Sequence, residues 1–201
     1  EELEEAQMAL QTMLTMRHVA PFREETSEQL SALSDASDTL ERWVKVQLMW
    51  CSLESVFLGG DIAKQLPMEA KKFGKVDKDW GKIMGKSAEV KLVVECCANE
   101  LLKTSLPTMT AELEKCQKSL EGYLEAKRSK FPRFYFISQV DLVDTLSKGK
   151  HPPAVQEHFS KFTDNIGAIQ WEKDAETGAE IGVAGGMVSG DREKIAFATP
   201  Y

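Results

Sequence analysis

The sequence predicts a mainly α-helical fold, an elongated bundle of long antiparallel helices followed by a small β-hairpin or meander. Apolar residues recur three and four apart between residues 23 and 58 and again between residues 90 and 130, the spacing of helices with one buried face. Short β-like runs separated by glycine-rich turns begin after residue 166. We therefore expect a helical part over residues 1–166 and a β-rich segment over residues 167–201, packed on the helices.

The composition argues against several classes of protein. Hydrophobic residues make up 42% and charged residues 28% of the 201 residues, as in globular chains. The formal net charge of −7 argues against nucleic acid or an anionic membrane as a partner, because both require a basic surface. No apolar run approaches the length that spans a bilayer. The first residue is Glu1 and not methionine, so we expect the chain to be a piece of a longer protein.

The residue types that usually carry chemistry are dispersed. The four cysteines fall in apolar helical patterns, which indicates reduced thiols of a cytosolic protein: Cys51, Cys96, Cys97 and Cys116. Cys96 and Cys97 are adjacent and lack the C-x-x-C spacing of zinc sites and redox motifs. The three histidines lie in different segments, and we expect His158 to lie at the surface or to face a partner. We therefore predict no catalytic, metal or cofactor-binding site within these residues.

The strongest helical pattern predicts one long helix from about residue 23 to residue 58, with Gly59 and Gly60 at its C-terminal cap. A helix over residues 1–17 precedes it and is interrupted before Pro21. We call four residues of the long helix the helix seam: Trp43, Gln47, Trp50 and Glu54. A polar residue on such a seam often fixes register, which is our interpretation of its two polar members. The alternative is that these two side chains face a ligand.

Glycines and prolines divide the middle of the chain into short predicted helices. Pro67 predicts a helix that ends near Phe73 or Gly74, and Asp77 is expected to cap the next one. The stretch 81–87, G-K-I-M-G-K-S, resembles a phosphate-binding loop but has three residues between its glycines where that motif needs four. We therefore reject nucleotide binding there.

The next two predicted helices form an antiparallel pair. The first covers residues 90–106 and the second runs from Pro107 to about Lys130. A tight turn at residues 105–107 is expected to join them.

An almost wholly aromatic segment follows, and we call it the aromatic joint: Phe131, Pro132, Arg133, Phe134, Tyr135 and Phe136. Pro132 biases its predecessor away from the helical region, so the preceding helix is predicted to end near Lys130. Arg133 lies between rings, where its guanidinium can stack or pair with a carboxylate. We expect the joint to be packed on both faces, as a buried strand or turn that plugs the helical core rather than as a ligand site.

The remainder predicts two short helices and a small sheet. Ser138 is expected to cap the first helix, which Gly149 ends, and Pro152 begins the second. The β-like runs are residues 168–171, 181–183 and 195–197, with turns that include Gly185 and Gly186.

Two stretches resemble the linker region of dynein heavy chains. The first is residues 127–138, KRSKFPRFYFIS. The second is W-x-x-V-Q-x-x-W-x-x-L-E followed by D-I-x-x-Q-L-P, carried by Trp43, Val46, Gln47, Trp50, Leu53, Glu54, Asp61, Ile62, Gln65, Leu66 and Pro67. The resemblance covers essentially the whole chain and is weaker after Gly167. Residues 138–147 look closer to axonemal dyneins, of the outer-arm type, than to cytoplasmic ones.

The resemblance implies a mechanical segment and not a catalytic one. In dynein heavy chains the linker is a largely helical arm that lies across an AAA+ ring, and the ring binds and hydrolyses ATP with Mg. The implied partners are that ring, the other heavy, intermediate and light chains of the complex, and microtubules. The implied location is the cytoplasmic cytoskeleton, in particular the axoneme of cilia and flagella.

A linker that bends needs a joint with two arrangements, and the candidates are the turns at residues 59–60, 105–107 and 130–132. From the residues alone, the alternative function is a free-standing helical scaffold or adaptor that binds a partner through its long amphipathic helix.

Overall fold

A computed structural model describes residues 1–58, 61–148, 152–175, 177–178 and 180–200. The helices are α1 (Glu2–Leu14), α2 (Arg23–Phe57), α3 (Asp61–Gln65), α4 (Pro67–Glu89), α5 (Val93–Cys97), α6 (Glu100–Lys130), α7 (Gln139–Ser147) and α8 (Phe159–Phe162). Three 3-10 helices cover Ala20–Phe22, Pro132–Phe136 and Pro152–His158, and the strands are β1 (Ile166–Lys173), β2 (Glu180–Ser189) and β3 (Lys194–Ala196).

The predicted mainly α-helical fold with a small C-terminal meander is confirmed. The long second helix, the break before Pro21 and the helix end at Lys130 are also confirmed. The predicted caps at Gly59 and Gly60 and the helix end at Gly149 lie outside the described residues. No helix in the described part of the chain is both long and apolar enough to cross a membrane.

Contacts divide the chain into two compact units. The first consists of Glu1–Ser55 and Met68–Gln117, and the second of Val56–Pro67 and Lys118–Tyr201. The arrangement of the helices as an elongated bundle and the division near residue 166 stay predictions.

In the first unit, side-chain contacts join α2 to α4 and to α6. The rings of Trp43 and Trp80 meet edge to face with centroids 6.3 Å apart. Lys45 pairs with Glu114 at 2.8 Å. A second pair, Asp35 with Lys103 at 3.2 Å, lies about three turns nearer the start of both α2 and α6, so these two helices run in the same direction. The core of this unit includes residues of all three helices: Ala36, Val46, Phe73, Val76, Leu106 and Leu113.

The two short helices predicted on either side of Gly74 are wrong, because α4 continues unbroken from Pro67 to Glu89. Its buried residues Phe73, Val76 and Trp80 keep one helical face across the predicted break. Asp77 therefore does not cap a helix, and its carboxylate accepts a hydrogen bond from the Trp50 indole at 3.1 Å.

The prediction of an antiparallel helix pair with a turn at residues 105–107 is also wrong, because α6 continues without interruption past Pro107. The helix predicted over residues 90–106 is replaced by the short α5 and the first turns of α6. The buried side chains of Leu102, Leu106 and Met109 follow one another on the same face of α6. Pro107 lies on the exposed side, where the loss of one backbone hydrogen bond is tolerated next to continuous burial on the other side.

In the second unit, the three strands form an antiparallel sheet in the order β1, β2, β3. The predicted turn at Gly185 and Gly186 is wrong, because both residues lie inside β2. Gly186 is buried between the neighbouring strands, and a Cβ atom there would lie 2.7 Å from the carbonyl oxygen of Ile195. The predicted cap at Ser138 is confirmed, since its hydroxyl accepts a hydrogen bond from the backbone N–H of Asp141.

Candidate functional site

Five of the six residues of the aromatic joint form one 3-10 helix, Pro132–Phe136, and Phe131 connects this helix to the end of α6. Phe131 has a non-helical backbone, as expected for a residue before proline. Its ring meets that of Phe134 edge to face, with centroids 4.8 Å apart. The ring of Phe162, from α8, lies 6.2 Å from Phe131 and 5.9 Å from Phe134. We call these three rings, together with the Phe159 ring 5.7 Å from Phe162, the aromatic cluster.

The expectation that the joint is packed on both faces is wrong. Phe136 is 80% exposed and Tyr135 is 54% exposed, so the segment is neither a strand nor a plug in the core. A five-residue 3-10 helix turns only part of its side chains inward, and here Phe134 takes the inward position. The Tyr135 hydroxyl donates a hydrogen bond back to the Glu125 carboxylate on α6.

Arg133 reaches neither a ring face nor a carboxylate in the described residues. Its guanidinium donates to the backbone oxygen of Phe162 at 3.5 Å, a long contact. The joint is therefore tied to α8 twice, by ring contacts and by this hydrogen bond.

The helix seam points largely towards α4. Trp43 packs on Trp80, and Trp50 bonds Asp77. Gln47 donates to the sulfur of Cys51 one turn along its own helix, at 3.1 Å, and Glu54 is half-buried. Gln47 also lines a groove of about 530 Å³ in the first unit. The register role of the two polar residues and its ligand-facing alternative both stay predictions.

The second unit also contains a charged network that the sequence pattern did not reveal. The ammonium of Lys148, the residue that follows α7 as its C-cap, donates to Asp144 at 2.8 Å and to Glu157. His158 Nε2 lies 2.8 Å from the same Asp144 carboxylate. The expectation that His158 lies at the surface is wrong, because its side chain is 6% exposed. Only the four-residue spacing of Asp144 and Lys148, which is typical of helical ion pairs, was a signal in the sequence.

These contacts shift the ionisation of the carboxylates. The pKa of Asp144 lies below its ordinary value, mainly because Lys148 donates a hydrogen bond to it and also because His158 does. The pKa of Glu157 is lowered by the hydrogen bond and the charge of Lys148. One ligand atom each from Asp144, Glu157 and His158 lies within 4.8 Å of the others, which is close enough for a metal ion. The Lys148 ammonium already pairs with both carboxylates, so we interpret the group as an ion-pair network that holds the end of α7 to the 3-10 helix Pro152–His158.

We expect the second unit to lose stability in acid through this network. The folded-state pKa values of Asp144 and Glu157 lie below the ordinary 3.8 and 4.5, so their contribution is present above those values and is lost as the pH falls through the folded-state values. Between about pH 5 and pH 3 the free energy of unfolding should decrease as the pH falls, and replacing Lys148 with methionine should make this decrease smaller. Urea unfolding across that range measures it, with Lys118→Met as the matched control on an exposed site. An unchanged slope in Lys148→Met would contradict the network's role.

Comparison with known proteins places the whole chain in one family. The family model described as "Dynein heavy chain, N-terminal region 2" matches residues 1–201. The chain is 42% identical over 170 residues to the mouse protein named dynein axonemal heavy chain 5, a match that covers 84% of this chain and 4% of that protein. It is 41% identical over 202 residues to the gamma chain of the flagellar outer arm dynein of Chlamydomonas reinhardtii, which covers 100% of this chain and 4% of that protein.

A third relative is the human protein named dynein axonemal heavy chain 8, which is 44% identical over 168 residues, 83% of this chain and 4% of that protein. The chain therefore spans only a small fraction of the length of the relatives that it matches. Since the match to the family covers every residue, the chain belongs to the dynein heavy chain family and represents part of its N-terminal region 2.

Proposed function

We propose that these residues are a mechanical segment of the linker of an axonemal dynein heavy chain, a lever that transmits the ATP-driven change of an AAA+ ring to the tail during movement along microtubules. On this proposal the segment itself is not catalytic, and ATP and Mg bind elsewhere in the heavy chain. Membership of the dynein heavy chain family supports this proposal.

The observation that carries the proposal is the aromatic cluster at the end of α6. A helix of 31 residues is stiff, because its interior peptide groups, apart from the nitrogen of Pro107, are hydrogen-bonded along its axis. Such a helix transmits force only if its end is held against the element that follows. Rings from the joint and from α8 interlock edge to face there, and pairs of this kind contribute about 0.5–1.5 kcal/mol each beyond their burial.

The proposed partners follow from the family. They are the AAA+ ring of the same heavy chain, other heavy, intermediate and light chains of a dynein complex, and, through the whole motor, microtubules. The proposed location is the axoneme of cilia or flagella, since the relatives named above are axonemal or flagellar dyneins.

Replacing Phe134 with alanine in the full heavy chain tests the proposal. Without this ring the contacts of Phe134 to Phe131 and Phe162 are lost, and among the described residues only the Phe131–Phe162 ring contact and the long Arg133 hydrogen bond still hold the end of α6 against α8. We expect microtubule gliding velocity to fall severalfold while ATP hydrolysis by the ring continues, because the chemistry lies elsewhere.

The matched control is Phe136→Ala, which removes the same side chain from the same 3-10 helix at a position that is 80% exposed. It should leave both velocity and ATP hydrolysis unchanged. If Phe134→Ala glides as fast as the unmodified motor, or if both variants slow it equally, the aromatic cluster does not transmit force.

A further inference from the structure

A long groove lies between α4 and the first half of α6, within the first unit. It has a volume of about 690 Å³. It extends from Lys72, whose positive charge helps to lower the pKa of Glu112, to Lys86, which lies beside Leu101. The two lysines are 14 positions apart on α4, which corresponds to about 21 Å of helix, or about four turns. Its length therefore suits another helix lying along it.

The floor of the groove is apolar. Val76 and Met109 are buried at its base, and Ile83 is half-buried. Leu101 lines the same groove and is 56% exposed. Apolar side chains that line a concave surface between two helices are the usual floor of a site that receives the apolar face of a third helix.

The α4 side of the groove is strongly basic although the chain as a whole is acidic. Lys82 pairs with Asp79 at 3.4 Å. Three further lysines line the groove with no carboxylate at ion-pair distance among the described residues: Lys72, Lys75 and Lys86. The pKa of the Glu112 carboxyl lies below its ordinary value, first because Lys115 donates a hydrogen bond to it, and also because of the positive charges of Lys72 and Lys75. The electrostatic potential along the α4 side of the groove is therefore positive.

We propose that this groove docks an amphipathic helix of a partner polypeptide, with its apolar face on the floor and a row of Asp and Glu residues along the α4 side. Charge complementarity selects an acidic helix over a basic one. The concave shape of the groove favours a helix over a flat anionic membrane. The two acidic residues in the lining, Asp79 and Glu112, would also repel the negative headgroups of such a membrane. This docking function goes beyond the lever role and does not depend on it.

Two double variants test the charge match. Lys75→Glu with Lys86→Glu reverses two exposed groove lysines, and Lys71→Glu with Lys78→Glu reverses two exposed lysines of the same helix that do not line the groove. The probe is a fluorescein-labelled, lactam-stapled 18-residue helix with leucines on one face and glutamates along one flank, titrated against the intact heavy chain by fluorescence anisotropy. We expect the groove variant to weaken binding on the order of tenfold and the control variant to leave it unchanged.

A second probe with lysines in place of the glutamates completes the design. It should bind the groove variant more tightly than the unmodified chain, which a partly misfolded variant would not do. Failure of the acidic probe to bind, equal weakening by both variants, or preferential binding of phosphatidylserine vesicles through Lys75 and Lys86 would overturn the proposal.

The source of the helix is tested in the assembled complex. A benzophenone side chain is placed at Thr108, which is exposed and lines the groove, and the cross-linked peptide is identified by mass spectrometry after irradiation. We expect a segment of another polypeptide with apolar residues three and four apart and acidic residues beside them. A cross-link only to the same heavy chain, or none, would overturn it.

Discussion

Replacing Phe73 with alanine is expected to lower the free energy of unfolding of the first unit by about 3–5 kcal/mol. Phe73 is fully buried on α4, and it is among the largest side chains of the core. Its removal exposes no new surface to solvent, so the surrounding helices are left with a cavity that they fill only in part. The loss therefore includes both the transfer free energy of the ring and the missing contacts around the cavity.

Urea unfolding of the 201-residue chain, followed by helical circular dichroism, measures this loss. The matched control is Met68→Ala, which shortens a large apolar side chain on the same helix at a position that is 64% exposed. It should change the free energy of unfolding by about 0.5 kcal/mol or less. Equal losses in the two variants would mean that α4 does not turn Phe73 into the core.

Replacing Pro107 with alanine is expected to raise the free energy of unfolding by about 1–3 kcal/mol. Pro107 lies eight residues into α6, where it removes one backbone hydrogen bond and its ring crowds the preceding turn. Alanine restores the bond, and the gain is partly offset because the unfolded chain becomes more flexible. Since the side chain is exposed, no core contact is lost.

The same urea titration measures this gain, and Pro132→Ala is the control. Pro132 is the first residue of a 3-10 helix, a position where the missing N–H is unpaired in any case. Its replacement should therefore give no gain in stability. Destabilisation by Pro107→Ala would show instead that the packing around Leu106 requires the backbone geometry that proline imposes.

The contrast between these two prolines shows what local patterns predict in this chain. The helical spacing of apolar residues stops just before Pro132, so the proline and the apolar pattern both indicate a helix end there. The end at Lys130 is therefore correctly predicted. At Pro107 the spacing continues through Leu102, Leu106 and Met109, and their burial against other helices outweighs the local preference for a break. The tertiary contacts that decide between these outcomes involve residues far away in the chain.

The candidate site was predictable only in its location. The aromatic residues begin where α6 ends, as the sequence predicts, but the ring that completes the cluster, Phe162, lies 28 residues beyond Phe134. His158 and Asp144 are likewise 14 residues apart, and no periodic pattern connects them. Contacts of this kind depend on how short helices and loops fold back, which spacing in the sequence does not encode.

The close approach of β2 and β3 at Gly186 bears on how inherited variants of this chain are interpreted. Any side chain at this position meets the backbone oxygen of Ile195 at 2.7 Å, and a backbone atom has no other rotamer to adopt. A missense variant at Gly186 would therefore separate two strands although it touches no aromatic cluster, charged network or groove. If relatives never vary there, the reason is steric exclusion, and such invariance would be no evidence for a binding surface.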